Sequence, residues 1–276
     1  TVSICKTFDG YAACKYLVRY TWMLPREKCT EQGFSRRSSE FLPLTISSEF
    51  TITRDSKLVR VHTEIENNIK DHRLQLHLPT GLSSAHYHVN QCGLILSRTS
   101  GLDHSHVHWK EADITEYSFE NMVYMRDGVG GLLFLSGGGL HEVSCPADAD
   151  NSIDITLMRC FRRTTGTDGE TDGQLSGHQV FEYALMPLSD ETDGELVRIK
   201  DTFTAGYQAF TIPHAKFSFE KGEFTEDQSA FTMHSAHCAY ITSMPAKNGG
   251  ILLRVANYSG QEDRCRITFQ IPPQKA

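Results

Sequence analysis

Long apolar runs are missing from this chain: no stretch approaches the roughly 18 to 20 residues that a membrane-spanning helix needs. Surplus positive charge is missing too. Lys and Arg number 27 against 34 Asp and Glu, for a net charge of −7, which argues against the cationic groove of a nucleic-acid-binding protein. The first ten residues hold Lys6 and Asp9 and no apolar h-region, so they do not read as a secretory signal. The eight cysteines form no CxxC and no dense short framework. That removes the zinc-ribbon and disulfide-scaffold classes and leaves reduced, mostly buried thiols in a cytoplasmic protein as the expectation, with a disulfide as the alternative. Nucleophile and phosphate motifs are equally scarce, with no GxSxG, SxxK, HExxH or GxxxxGK[ST]. Apolar residues at helical spacing over 12 or more positions are also not found.

What is present repeats every two residues. Val59, Val61 and Ile65 alternate with Arg60, His62, Glu64 and Glu66, the pattern of a half-buried strand. The same alternation runs through Tyr16, Val18, Tyr20 and Trp22, through Leu74, Leu76 and Leu78, and through Cys265, Ile267, Phe269 and Ile271. Unbroken apolar runs at Leu132 to Leu135, Ile153 to Met158 and Ile251 to Val255 fit strands buried on both faces. Turn residues separate these runs, as at Asp127-Gly128, Gly137 to Gly139 and Ser259-Gly260. Strands and turns along the whole length predict an all-β, large antiparallel β-sandwich forming one unit over 1–276. Thr164 to Gly177 and Ser189 to Glu195, polar and rich in Thr, Asp and Gly, read as solvated flexible loops. The chain begins at Thr1, without an initiator Met and directly against strand-like sequence, which fits a piece of a longer polypeptide.

Histidines are the sharpest chemical signal. His104, His106 and His108 alternate, and His86 with His88 makes a second such pair. Side chains two apart on a strand stand roughly parallel, about 6.5 to 7 Å from one another. Three of them converge poorly at the roughly 2.0 to 2.1 Å that a zinc ion requires, so polar histidines on a solvent face or loop are the preferred reading and no metal site is expected. Gly137 to Gly139 lacks the Lys and the helix start of a phosphate loop and reads as a hairpin or bulge. Asp71, Glu111, Asp113, Glu116 and Glu120 are carboxylates of the type that glycoside hydrolysis uses in pairs, but spacing alone pairs none of them.

The order of the segments carries more than any single motif. Asp71-His72-Arg73-Leu74 leading to Leu78-Pro79-Thr80-Gly81 resembles a strand in the C-terminal region of glycoside hydrolase family 38, the retaining α-mannosidases. The resemblance is nearest the bacterial branch that includes mannosylglycerate hydrolase. It continues through Gly93 to Arg98, Asn121 to Tyr124, Asp127-Gly128 with Gly131, Leu140-His141-Glu142 and Ile155 to Arg159. Gly177-His178, Phe181 to Pro187 and Ile251 to Asn257 complete the series, over roughly residues 15 to 271.

The resemblance implies a supersandwich of the galactose-mutarotase-like kind, the C-terminal β-sandwich domain of a family 38 enzyme whose catalytic barrel is not in this chain. Zinc, its His and Asp ligands and the nucleophile belong to that barrel, so no catalytic residue and no cofactor is expected here. His104-x-His106-x-His108-Trp109 lacks the Asp of the family's zinc motif. The family match places an active-site-mouth arginine on Arg98, and Trp109 offers a face for sugar stacking. Partners implied are an α-mannoside, the chain's own N-terminal catalytic barrel and a second subunit in a homo-oligomer, with neither nucleic acid nor membrane among them. The rival readings are a free-standing carbohydrate-binding module and a mutarotase-like sugar epimerase using a His and a carboxylate.

Overall fold

Alternating sequences leave one face of each strand apolar, and that face has to be covered by another layer. The computed structural model of the protein describes residues 1–31, 34–102, 108, 110, 113–164, 167–168, 172–206, 231–235, 239–243, 246–247, 250–258 and 261–270. Where the strand pattern reads as a single unit, the chain divides into two compact ones, Thr1–Asp190 and Glu191–Ala276.

The first unit is an antiparallel sandwich. Its chain order begins β1 (Val2–Asp9), β2 (Ala13–Pro25), β3 (Lys28–Glu31), β4 (Phe34–Arg37), β5 (Phe41–Thr53) and β6 (Val59–Asn67). It continues with β7 (Arg73–Leu78), β8 (His86–Gln91), β9 (Leu94–Thr99), β10 (Glu116–Ser118), β11 (Met122–Arg126) and β12 (Gly131–Ser136). The last are β13 (Glu142–Ser144), β14 (Ile153–Arg159), β15 (Arg163–Thr164), β16 (Thr167–Asp168) and β17 (Gly177–Leu188). One sheet has nine strands in the order β1-β2-β5-β6-β17-β12-β11-β8-β9, and the other has four in the order β10-β13-β14-β7. Strands β9 and β10 are therefore edges.

The core lies where the two inner faces meet. Val61, Val89, Val123, Phe134 and Tyr183 from the large sheet pack with Val143, Ile153 and Ile155 from the small one, all of them buried. Phe134 stacks on Tyr183 at 5.6 Å between ring centroids and meets the ring of Phe119 edge-on at 6.1 Å. A second cluster joins Leu44, Ile46, Ile65 and Ile69 to Leu74, Met158 and Cys160. Within the layer, Ser48 and Thr63 share a hydrogen bond of 2.8 Å, and Thr63 meets the Tyr183 hydroxyl at 3.1 Å. These three buried hydroxyls are thereby paired with one another. The all-β antiparallel sandwich expected from the alternation is what forms.

Several local expectations change. Ser136 to Leu140 is neither a hairpin nor a bulge: it carries the chain from β12 in the large sheet to β13 in the small one. Gly138 (φ 133°) and Gly139 (φ 78°) supply backbone that residues with a Cβ seldom adopt. The polar segment after Arg163 is ordered at its described ends, since β15 pairs with β16 and Gln174, in a 3-10 turn over Asp172–Gln174, is buried. Among the described cysteines, Cys145 and Cys160 are buried, Cys5, Cys92 and Cys265 are exposed and Cys14 and Cys29 are intermediate. These seven are free thiols, and Cys238 lies outside the described residues.

In the second unit a helix, α1 (Asp193–Ala205), stands where Ser189 to Glu195 reads as a loop. Thr192 caps it: its hydroxyl accepts from the Glu195 amide and the Glu195 carboxylate accepts from the Thr192 amide, a reciprocal capping box. Among the described residues three ribbons follow. β18 (Phe231–Ser235) pairs with β23 (Cys265–Phe269), β19 (Ala239–Ser243) with β22 (Arg254–Asn257), and β20 (Ala246–Lys247) with β21 (Gly250–Ile251). The run Ile251 to Val255 is thus split between two ribbons and not buried on both faces; Ile251, Leu252 and Val255 are exposed.

Candidate functional site

Arg98 sits in a frame that local sequence dictates. Cys92 (φ 51°) and Gly93 (φ 74°) form a two-residue turn with both central residues in the left-handed region, the geometry that matches the twist of a tight hairpin between β8 and β9. The Glu120 carboxylate holds that turn by accepting from the Cys92 amide at 2.7 Å and from Asn90 Nδ2 at 3.1 Å. Arg98 is half-buried within β9, opposite Tyr87 on β8. Its Nη1 donates to the Ser118 carbonyl at 2.9 Å, its Nη2 donates to Gln91 Oε1 at 2.7 Å, and the guanidinium lies 4.9 Å from the Tyr117 ring centroid. Gln91 Nε2 adds a bond to Ser118 Oγ at 3.1 Å.

Because β9 and β10 are edges of different sheets, this group of residues clasps one side of the sandwich. It also stands at the two ends of the segment that carries Trp109. Trp109, His104, His106 and Glu111 lie outside the described residues, and His108 is exposed. Tyr87 is buried beneath the clasp. Burial pushes its phenol up to about 12, while the Arg98 guanidinium pulls the other way.

The remaining carboxylates are not brought together. Glu116 accepts a hydrogen bond from Arg73, which holds its carboxyl below the usual range. Glu120 supports the turn just described. Asp71, in the left-handed region (φ 55°), accepts from the Lys28 amide at 3.0 Å and from Gln174 Nε2 at 2.9 Å, with Arg162 at 3.3 Å. Among the described residues no group of three His, Cys, Asp or Glu is arranged to hold a metal ion.

Pairing across strands produces an arrangement that spacing alone did not reveal. On the outer face of the large sheet, His62 of β6 has Glu182 of β17 at 2.5 Å from Nδ1 and Glu64 at 3.1 Å from Nε2. His178 and Glu66 form a neighbouring pair at 2.6 Å. With a carboxylate at each ring nitrogen, His62 is favoured as the imidazolium, and the hydrogen bond to Glu182 is the first cause of its raised pKa. A raised folded pKa means stability that is fully present below the unfolded value, about 6.5, and is lost as pH rises through the folded value. The Glu182→Gln variant is expected to lower the His62 pKa in an NMR titration and to flatten the fall in melting temperature above about pH 6.5. An unchanged titration would remove Glu182 as the cause.

Comparison with known proteins adds the wider frame. No sequence-family profile matches the chain. A curated protein of Halalkalibacterium halodurans, named "Putative mannosylglycerate hydrolase", is 25% identical over 194 residues, 68% of this chain and 20% of that protein. A solved structure from Enterococcus faecalis described as a protein in the glycosyl hydrolase family 38 matches with a TM-score of 0.81 and 20% identity, covering 99% of this chain and 32% of that one. An α-mannosidase structure from Enterococcus faecalis V583 matches with a TM-score of 0.82 and 20% identity, over 98% of this chain and 31% of that one. The chain thus spans a fifth of the curated relative and about a third of the solved ones. In both sequence and fold, therefore, this chain bears out the resemblance to glycoside hydrolase family 38 that the order of its strands carries.

Proposed function

We propose that this chain is the non-catalytic C-terminal region of a retaining α-mannosidase-type glycoside hydrolase, and that it completes the mouth of an active site built elsewhere in the polypeptide. The coverage carries this reading: nearly the whole chain superposes on about one third of a family 38 structure, leaving two thirds for a catalytic barrel and its zinc. Alone, the sandwich does not cleave a glycosidic bond. It binds the barrel and the α-mannoside, works in the cytoplasm and carries homo-oligomer contacts. Arg98 serves the mouth by fixing both ends of the segment bearing Trp109. A guanidinium has five donors, so the clasp leaves Arg98 able to reach a sugar hydroxyl, while Trp109 stacks on the sugar. Reading the coding sequence upstream of Thr1 tests the proposal. A barrel with its zinc motif is expected there, and a start codon directly before Thr1 would overturn it.

A second reading, a mutarotase-like enzyme in its own right, draws on His62 between Glu182 and Glu64, an acid and a base within hydrogen-bond reach. Polarimetry separates the two. With the isolated chain, fresh α-D-glucose and α-D-mannose are expected to mutarotate no faster than in buffer; acceleration abolished by His62→Ala would favour the second reading.

A further inference from the structure

The ribbon formed by β18 and β23 has a charge arrangement that its own fold leaves uncompensated. Arg266 lies directly opposite His234 across the ribbon. Two positions held by cations on facing strands repel when both are charged. Arg264 is two residues from Arg266, so in extended chain it projects to the same side. Among the described residues, no side-chain hydrogen bond or ion pair engages Arg264, Arg266 or His234. The nearby acids do not compensate them: Asp263 takes its hydrogen bond from Ser235 Oγ, and Glu262 makes no ion pair with either arginine. Beside these groups is a cavity of about 460 Å³ lined by His234, Ser235, Arg264, Cys265 and Arg266.

We propose that this cavity is an oxyanion site that takes the phosphate group of a phosphorylated sugar. Two guanidiniums, each able to present paired N–H donors, match a phosphate in shape. Their two fixed positive charges match the roughly −1.5 to −2 of a phosphate monoester near neutral pH. His234 adds a third donor without adding a fixed charge. The volume falls within the range of about 300 to 1,000 Å³ typical of small-molecule sites, which leaves room for a sugar beyond the phosphate. This site is independent of the α-mannosidase reading, since it lies wholly within the second unit.

Titration calorimetry on the full 276-residue chain tests the proposal with inorganic phosphate, mannose 6-phosphate and mannose. Phosphate and mannose 6-phosphate are expected to compete for one site, mannose not to displace either of them from it, and the affinity to fall as salt is raised from about 50 to 300 mM. The double variant Arg264→Gln/Arg266→Gln is expected to weaken both by about tenfold or more, because each loses charge-assisted bonds. Cys265 offers a check that needs no variant. It is an exposed free thiol on the cavity wall, with the exposed Cys5 and Cys92 as internal controls. Saturating phosphate is expected to slow iodoacetamide modification of Cys265 and to leave Cys5 and Cys92 unchanged, as read by peptide mass mapping. Absence of phosphate binding, binding undiminished in the double variant, or Cys265 modified at an unaltered rate would overturn the proposal.

Discussion

Replacing Asp71 with Ala is expected to destabilise the chain by about 3 kcal/mol, the largest loss foreseen for any exposed-strand or turn position. The side chain is only 8% exposed and holds three groups from three different segments. It accepts from the Lys28 amide in β3 and from Gln174 Nε2, and faces Arg162 at 3.3 Å. Gln174 is itself buried, and its Oε1 returns a bond to the Asp71 amide at 2.9 Å. Truncation leaves the Lys28 amide and the buried Gln174 Nε2 without their acceptor, while Arg162 keeps its bond to the Lys28 carbonyl, and an unsatisfied buried polar group costs more than the lost bond is worth. The left-handed backbone at Asp71 adds to this, because Asp and Asn tolerate it better than Ala. Arg37 binds the Asp71 carbonyl at 2.7 Å, so strain there is passed to the β3–β4 hairpin. Asp71→Asn keeps the tolerance and one acceptor and is expected to lose about half as much. Urea unfolding at constant m-value measures both; a loss for Asp71→Ala within about 0.5 kcal/mol of zero would reduce the network to surface decoration.

Arg98→Ala is expected to cost about 2 kcal/mol, from two hydrogen bonds donated by a charged group and the stacking on Tyr117. The loss has a place as well as a size. Amide exchange is expected to accelerate in β9 and β10, the two edges that Arg98 ties, and to stay slow in the long β2–β5 ladder. Arg98→Lys supplies a point charge in place of a planar fork and is expected to recover less than half. Exchange unaltered at β9 and β10 would show that Arg98 does not clasp the sandwich.

The alternation at Val59 to Glu66 marks β6 to within one residue, because Val59, Val61 and Ile65 turn to the core with the buried Thr63 in the same row, while Arg60, His62, Glu64 and Glu66 take the other face. Arg98 was legible as a residue, by its place after Gly93. Its partners were not, since Ser118 is twenty residues away and on the other sheet. The same holds for Asp71 and Gln174, 103 residues apart, and for His62 and Glu182, 120 apart. Period two says which face a side chain takes and nothing about which strand lies beside it. Helix α1 was hidden for a different reason. Its buried residues Leu196, Val197 and Phe203 make a sparse stripe across Thr, Asp and Lys, too weak for a periodicity reading. The signal that does mark it is the Thr192 and Glu195 capping box, inside a segment whose composition reads as loop.

The account rests on the sandwich being one part of a glycosidase. Hydrolysis of p-nitrophenyl α-D-mannoside with zinc present, measured for the 276-residue chain alone and for the polypeptide produced from its full coding sequence, tests this most directly. The account predicts turnover by the full polypeptide and a rate at the buffer background for the chain alone. Hydrolysis by the isolated chain at the full polypeptide's rate, or none by the full polypeptide, would contradict it.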